Sequence, residues 1–200
     1  MAFTAIVKTT VNVLEMLIAA TRTITASGNA SQRVDLPASH AGVITSGTVT
    51  LTTGHGIVTA DVVDVYWGTA NLRKDCVVGT VAAPTADTAV PLTGGSGDAL
   101  PSGATAVIVA PQVAIDVDFD GDLLKFLGAT CAQRCRLDLR DDASESLKDI
   151  DLAAGGEYDW DEDSADENPL AGVIVAEAVA SNGSTEAAEL IVPVLYESTE

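Results

Sequence analysis

Apolar and polar residues alternate with a period of two along much of the chain, most clearly over residues 57–67. In this run Val63, Val65 and Trp67 alternate with Val62, Asp64 and Tyr66. A period of two is the pattern of a β-strand that turns one face towards a core. We therefore expect a strand here, with the valine and tryptophan positions inside.

Similar runs predict further strands, separated by short turns rich in Gly, Pro, Ser and Asn. They cover residues 9–25, 32–36, 43–52, 76–81, 105–110, 113–119 and 129–139. Residues 9–25 also fit a helical stripe, but the β-forming residues of positions 21–25 favour a strand. The segment of residues 141–150 has room for one short helical turn.

The end of the chain has the pattern of a terminal β-hairpin. Two apolar runs, residues 171–180 and 187–196, flank a turn with Asn182-Gly183, a pair that supports the positive φ angles of tight turns. Pro193 lacks an amide donor, so its strand is expected at a sheet edge or crossing to a neighbour. Residues 157–167 are strongly acidic and are expected to form a solvated loop or arm.

These elements predict a mainly β fold, a β-sandwich or jelly-roll-like barrel with an acidic loop and a terminal hairpin. The expected division is an N-terminal strand or arm region over residues 1–41 and a β domain over residues 42–200. A split of the second region near residue 111 into two small subdomains remains an alternative.

Composition narrows the function classes. The 200 residues carry 29 Asp and Glu against 10 Lys and Arg, a net charge of −19. Such a surface disfavours nucleic acid and anionic membranes, which both require cationic patches. Three cysteines make an odd number without a disulfide framework, so we expect assembly in a reducing cytoplasm.

One acidic run resembles the first half of a calcium loop. Asp116, Asp118 and Asp120 occupy alternate positions and Gly121 follows them, as in a loop that wraps Ca²⁺. The position for a bidentate glutamate holds Leu127. A strand with an acidic solvent face is therefore favoured over a metal site, and no cofactor is expected.

The predicted strand over residues 129–139 places cysteines and arginines on opposite faces. If it is continuous, about 13 Å separates Cys131 from Cys135, too far for a disulfide, and both are expected as buried apolar residues. Arg134, Arg136 and Arg140 lie on the other face. They are candidates for a subunit contact with an acidic segment of another copy, and pairing within the chain or a solvated face is the slightly favoured alternative.

No motif predicts catalysis. His55 lies in Gly54-His55-Gly56 without a nucleophile elbow nearby, and Gly94-Gly95-Ser96-Gly97 lacks the lysine of a phosphate loop. Both stretches are expected to be turns, and we expect the protein not to be an enzyme. Four aromatic residues are candidate stacking platforms for a carbohydrate- or receptor-binding module, and two of them are also candidates for a subunit contact. The four are Tyr66, Trp67, Tyr158 and Trp160, and the two contact candidates are Tyr158 and Trp160.

Two sequence motifs stand out in the first half of the chain: Gly54-His55-Gly56-Ile57 with Asp61-Val62-Val63-Asp64-Val65-Tyr66-Trp67, and Gly95-Ser96-Gly97-Asp98-Ala99-Leu100-Pro101. Together they resemble small structural virion proteins of tailed bacteriophages. The resemblance covers about residues 42–110. It implies a non-enzymatic virion component, and we expect a capsid decoration or cement protein that bridges capsomers.

The resemblance also implies partners and a location. A decoration protein of this kind would contact copies of itself, as a homotrimer, and the major capsid protein on the capsid surface. Strand edges and swapped terminal segments would make these contacts. A tail or baseplate structural protein is the nearest alternative, and a carbohydrate- or receptor-binding virion module is the second.

Overall fold

The computed structural model describes residues 3–13, 16–26, 28–70, 72–82, 88–115, 123–161, 170 and 174–197. The described residues form an all-β protein. The described part contains no helix, and so none that is long and apolar enough to cross a membrane. The prediction of a mainly β chain is confirmed.

The described residues contain fifteen strands. The first eight are β1 (Phe3–Val13), β2 (Met16–Ala26), β3 (Gly28–Leu36), β4 (His40–Thr45), β5 (Thr48–Thr50), β6 (Val62–Trp67), β7 (Leu72–Val78) and β8 (Ala89–Thr93). The remaining seven are β9 (Thr105–Ile115), β10 (Leu123–Cys131), β11 (Cys135–Arg140), β12 (Ser146–Leu152), β13 (Glu157–Asp161), β14 (Glu177–Asn182) and β15 (Ala188–Glu197).

Six antiparallel strands close into a barrel. Their order is β9-β4-β5-β8-β7-β6, and pairing of β6 with β9 completes the ring. Inward positions of alternating strand residues fill the barrel, as the period of two requires. The barrel core consists of Ile44, Val49, Leu51, Ile57, Val63, Val65, Trp67, Cys76, Val78, Val81, Val90, Leu92, Val107 and Val109.

The long strand β9 continues the barrel into a second unit. Its C-terminal half pairs with β14, which pairs with β11 and then β12. A separate sheet has the order β13-β10-β15-β3. A second apolar cluster draws side chains from both groups of strands, so it lies between them. The finer arrangement is therefore a closed barrel continued by additional strands.

The first two strands form a hairpin of their own. β1 and β2 pair over 11 positions each, from Phe3 opposite Ala26 to Val13 opposite Met16. Among the described strands they pair only with each other. β2 approaches β10 and β15, so one part of the hairpin is near the four-stranded sheet. Helical structure, the alternative for residues 9–25, is wrong for the described residues of that range.

Two runs expected to be single strands are each divided by a turn. In residues 43–52 the chain reverses at Ser46-Gly47, both with positive φ, and β4 pairs with β5. In residues 129–139 the strand ends at Cys131 and restarts at Cys135 in the other sheet. The second prediction failed because Ala132-Gln133-Arg134 contains no Gly or Pro to mark the turn.

The expected terminal hairpin is wrong. β14 lies between β11 and β9, whereas β15 lies between β10 and β3 in the other sheet. Asn182 explains the crossing, because its side-chain amide donates to the carbonyls of Pro37 at 3.0 Å and Glu186 at 2.7 Å. Pro193 lies in a central strand, not at an edge. Gly128 faces it, where a Cβ would lie 3.0 Å from the Pro193 ring.

Two polar segments also differ from expectation. The acidic run begins as strand β13, paired with β10, and Trp160 and Asp161 are buried there. Its residues 162–169 lie outside the described part. Residues 141–145 form a turn and β12 follows, so the helical turn expected over 141–150 is wrong.

Candidate functional site

A buried network of charged side chains lies where the barrel meets the second unit. Its centre is Asp64, on the face of β6 that points out of the barrel core, and its side chain is 0% exposed. Asp64 accepts hydrogen bonds from Arg73 at 2.8 Å, Arg136 at 3.3 Å and Gln112 at 3.3 Å. These donors come from β7, β11 and β9, so the Asp64 carboxylate joins all three strands to β6.

Arg136 bridges three carboxylates from its place on β11. Its Nε donates to Asp149 at 2.6 Å, and its terminal nitrogens lie 3.3 Å from both Asp138 and Asp64. Burial opposes the charged form of Arg136, but the hydrogen bond to Asp149 and the charges of Asp64 and Asp138 outweigh it and raise its pKa. Arg136 therefore stays charged inside the protein.

The remaining members complete the charge balance. Asp138 accepts from Arg140 Nε at 2.6 Å and from Ser146 Oγ at 2.5 Å. Arg73 also reaches Asp149 at 3.2 Å. Three arginines thus face three aspartates, which compensates the charges whose burial would otherwise be costly. The geometry suits a fixed joint between the two cores.

Tyr66 extends the joint on the same face of β6. Its hydroxyl lies 2.7 Å from Ser181 Oγ on β14, and the Arg134 guanidinium lies 5.2 Å from its ring centre. Burial, followed by the charge of Asp64, raises the pKa of Tyr66, so the phenol is neutral. Arg134 also pairs with Asp151 at 3.1 Å.

All three arginines proposed for a subunit contact have carboxylate partners in their own chain. Arg136 and Arg140 belong to the buried network, and Arg134 lies at its rim. These contacts agree with pairing within the chain, which is part of the slightly favoured alternative. A subunit contact through the same residues stays a prediction.

Two open depressions flank the joint. The polar one has a volume of about 390 Å³ and is lined by Arg73, Gly97, Asp98, Arg136, Asp149 and Asp151. The apolar one has a volume of about 280 Å³ and lies along the outside of the barrel, between Tyr66, Ile108 and Arg134. In the polar depression both arginines already pair with carboxylates, which lowers their attraction for an added anion.

The histidines stabilise a turn. His55 is buried, and its Nδ1 accepts a hydrogen bond from the Ile57 amide at 3.0 Å. The His40 ring packs edge-on against it, with 6.2 Å between ring centres. Burial and then the neighbouring His55 lower the pKa of His40.

Cys131 and Cys135 do not share one continuous strand, contrary to the sequence expectation. β10 ends at Cys131, the chain turns over residues 132–134, and β11 begins at Cys135 in the other sheet. Both are buried in the same cluster, as predicted, and both are free thiols.

The other candidates fall into two groups. The calcium candidates Asp116, Asp118 and Asp120 lie outside the described residues, and the described part contains no group of three or more potential metal ligands. Of the aromatic candidates, Tyr66, Trp67 and Trp160 are buried and Tyr158 is half-buried against the second core. Tyr66 and Trp67 also line the apolar depression, and a stacking role for these rings stays a prediction.

Sequence reasoning missed the partners that complete the network. Asp64, Arg73 and Asp149 were not singled out, although a lone carboxylate among the apolar residues of β6 is a usable signal for a buried charge. The chain matches no protein-family model, and a search of curated proteins gives no match.

Proposed function

We propose that this chain is a non-enzymatic structural protein of a tailed-bacteriophage particle, most specifically a decoration or cement protein on the capsid surface. The observation that carries the proposal is the hairpin β1–β2, whose strands pair with no other described strand of an acidic all-β chain. The resemblance over residues 42–110 supplies the virion context.

The hairpin is amphipathic by register. Directly paired residues share a face of an antiparallel ladder. One face comprises Phe3, Ala5, Val7, Thr9, Val11 and Val13, with Met16, Ile18, Ala20, Arg22, Ile24 and Ala26 opposite them. The other comprises Thr4, Ile6, Lys8, Thr10 and Asn12, with Leu17, Ala19, Thr21, Thr23 and Thr25.

Such a hairpin gains stability from a surface that covers its apolar face. Two-stranded hairpins are marginally stable alone in water, and 11 paired positions span about 36 Å at a strand rise of ~3.3 Å. Its unpaired edges also offer backbone groups for strand addition. A hairpin of this length is suited to reach from one subunit to a neighbour.

Charge favours the same use of the hairpin. Residues 3–26 carry Lys8 and Arg22 against Glu15, a net charge of +1 in a chain of net charge −19. Two acidic bodies repel each other, whereas a cationic arm is attracted to a neighbouring acidic body. Free copies would thus stay soluble and associate through their arms. We propose copies of the chain, as a homotrimer, and the major capsid protein as partners.

The body has features that suit a static role. The buried charge network ties the barrel to the second unit and balances three arginines with three aspartates. Fully paired buried networks rigidify the elements that they join. A rigid body with a hairpin outside its two larger sheets is suited to bridge capsomers.

Cryo-electron microscopy of particles that carry this protein tests the proposal. We expect density on the outer shell at local threefold positions, with the hairpin laid across a neighbouring subunit. A variant that lacks residues 1–27 is expected to leave these positions empty while the remaining body still folds, as judged by circular dichroism. Density only at the tail would assign the chain to the tail or baseplate alternative.

A further inference from the structure

The four-stranded sheet β13-β10-β15-β3 has one face in the second apolar cluster and one face outside it. Leu127, Trp160 and Val192 belong to the cluster. Because strand residues alternate between the two faces of a sheet, their neighbours along each strand lie on the outer face. The register of β13, β10 and β15 places these neighbours in three rows. The rows are Asp161-Phe126-Leu195, Asp159-Gly128-Pro193 and Glu157-Thr130-Ile191.

An apolar stripe runs along the middle of this outer face, and we call it the outer stripe. It comprises Phe126, Gly128, Ile191, Pro193 and Leu195. Neither apolar cluster of the described residues includes Phe126, Ile191 or Leu195. A Cβ on Gly128 would lie 3.0 Å from the Pro193 ring and 3.4 Å from the Phe126 ring, so these rings fill the space beside the glycine. The outer stripe is therefore a continuous apolar surface, of the kind against which a second sheet packs.

Carboxylates border the outer stripe along β13. Glu157 and Asp159 are exposed there, opposite Thr130 and Gly128 of β10. An open depression of about 320 Å³ lies at the same end, with Glu157 and Ile191 among its lining residues. A partner that brings an apolar face and a cation close to its edge therefore fits this surface in both respects.

The hairpin β1–β2 has the complementary pattern. Its apolar face is two strands wide, as the outer stripe is, and Arg22 is the one charged residue on that face of the two strands. Arg22 lies opposite Val7, in the fifth pair counted from Phe3–Ala26. The hairpin thus carries a cation at the edge of an apolar ribbon, where the outer stripe has its carboxylates.

The length of the hairpin points to the outer stripe of a second copy. Residues 126–130 span about 13 Å at a strand rise of ~3.3 Å, whereas the hairpin spans about 36 Å. β2 approaches β10 and β15 of its own chain. Even so, a stripe of that length covers about five of the 11 pairs of the hairpin. The pairs from Arg22 to the tip extend past it and need another surface.

We infer that the apolar face of the hairpin packs on the outer stripe of a second copy of this chain, with Arg22 beside Glu157 and Asp159 of that copy. The inference rests on the association through hairpins proposed above, and it names the surface that receives them. Each copy has one hairpin and one outer stripe, so the contact is heterologous and closes into a ring, as a homotrimer requires.

Exchange of charges across the contact tests which surfaces meet. Arg22→Glu places a carboxylate beside Glu157 and Asp159, and Asp159→Lys places an ammonium beside Arg22. Each single variant is expected to fall in light scattering from the mass of the wild-type assembly to that of one chain, 20.4 kDa. The double variant with both substitutions restores opposite charges at every contact of the ring and is expected to regain the wild-type mass.

The apolar part of the contact is tested by a matched pair of substitutions. Ile191→Asp places a charge in the outer stripe and is expected to leave a monomer. Val77→Asp places the same charge on β7 of the barrel, where Val77 is 42% exposed, and is expected to keep the wild-type mass. Circular dichroism of both variants checks that the sheets still form.

The outcomes separate this contact from the virion role. A wild-type mass in both single charge variants, a loss that the double variant does not repair, or a monomeric wild type would overturn the inference. Particle density at threefold positions tests the virion role by itself, so a chain that occupies them without this contact keeps that role. A chain absent from particles whose association follows the charge exchange keeps the contact and loses the role.

Discussion

Arg136 on β11 donates a hydrogen bond to Asp64 on β6 at 3.3 Å, and both side chains are almost completely buried. The contact joins the barrel to the strands that continue it. Neither charge is stable alone in that position, so the two residues depend on each other and on the carboxylates and arginines around them.

We therefore expect Arg136→Ala to destabilise the protein by about 3–5 kcal/mol, because it leaves buried aspartates with incomplete compensation. Arg33→Ala is the matched control, since the Arg33–Glu189 pair lies at the surface with Arg33 68% exposed. Exposed pairs contribute about 0–1 kcal/mol. Urea unfolding of both variants measures the difference, and equal losses would contradict the role of the network.

A second prediction concerns the loop that follows β8. Gly94 and Gly95 both have positive φ, but a Cβ on Gly95 would lie 1.6 Å from the Asp75 carbonyl oxygen, whereas one on Gly94 would meet nothing within 4 Å. Gly94→Ala carries only the strain of a left-handed backbone, about 1–2 kcal/mol. Gly95→Ala adds overpacking of about 1–3 kcal/mol.

Thermal unfolding of these two variants separates the effects. Gly95→Ala should melt well below Gly94→Ala, and crystallography should show the loop displaced from Asp75. Identical melting temperatures would mean that the loop adjusts without cost and that the close approach of Gly95 to β7 does not hold it in place.

The pattern of the sequence predicted local structure better than the pairing of strands. The alternation in β6 placed Val63 and Val65 in a core correctly, yet Asp64 and Tyr66 are buried as well. Alternation predicts that the second face of β6 is solvated. That face is instead covered by residues far along the chain, among them Arg136 and Ser181. Sequence periodicity carries no information about such distant partners.

The sequence pattern also predicts two turns wrongly, because contacts between distant residues decide both of them. Asn182-Gly183 has the composition of a hairpin turn, but hydrogen bonds from the Asn182 amide to Pro37 and Glu186 hold the crossing between sheets instead. The turn between Cys131 and Cys135 carries no Gly or Pro. Its position follows from the pairing of β10 with β15 and of β11 with β14, which are long-range contacts.

The dependence of stability on pH gives a third prediction. Burial, followed by the charge of His55, lowers the pKa of His40 below its ordinary value of 6.5. The unfolded chain then binds the proton more readily, so stability from neutral His40 is present above pH 6.5 and is lost as the pH falls towards the lowered value.

Urea midpoints measured between about pH 7.5 and about pH 5.5 test this, since histidine is the side chain that titrates there. The wild type should lose stability on acidification, and His40→Asn should lose less. Equal pH dependence in the two proteins would assign the loss to other groups.

The last prediction concerns the hairpin. Ile24 and Thr23 are neighbours on β2, and the register places Ile24 opposite Ala5 on the apolar face and Thr23 opposite Ile6 on the other. If the apolar face is the surface that a second copy covers, Ile24→Asp should abolish association, because it places an unpaired charge in the contact. Thr23→Asp introduces the same charge on the other face and should associate as the wild type does.

Light scattering gives the mass of each variant, and circular dichroism checks that both bodies fold. A wild-type mass for Ile24→Asp, or equal losses in both variants, would exclude the apolar face as the contact and leave strand addition at the hairpin edges as the means of bridging.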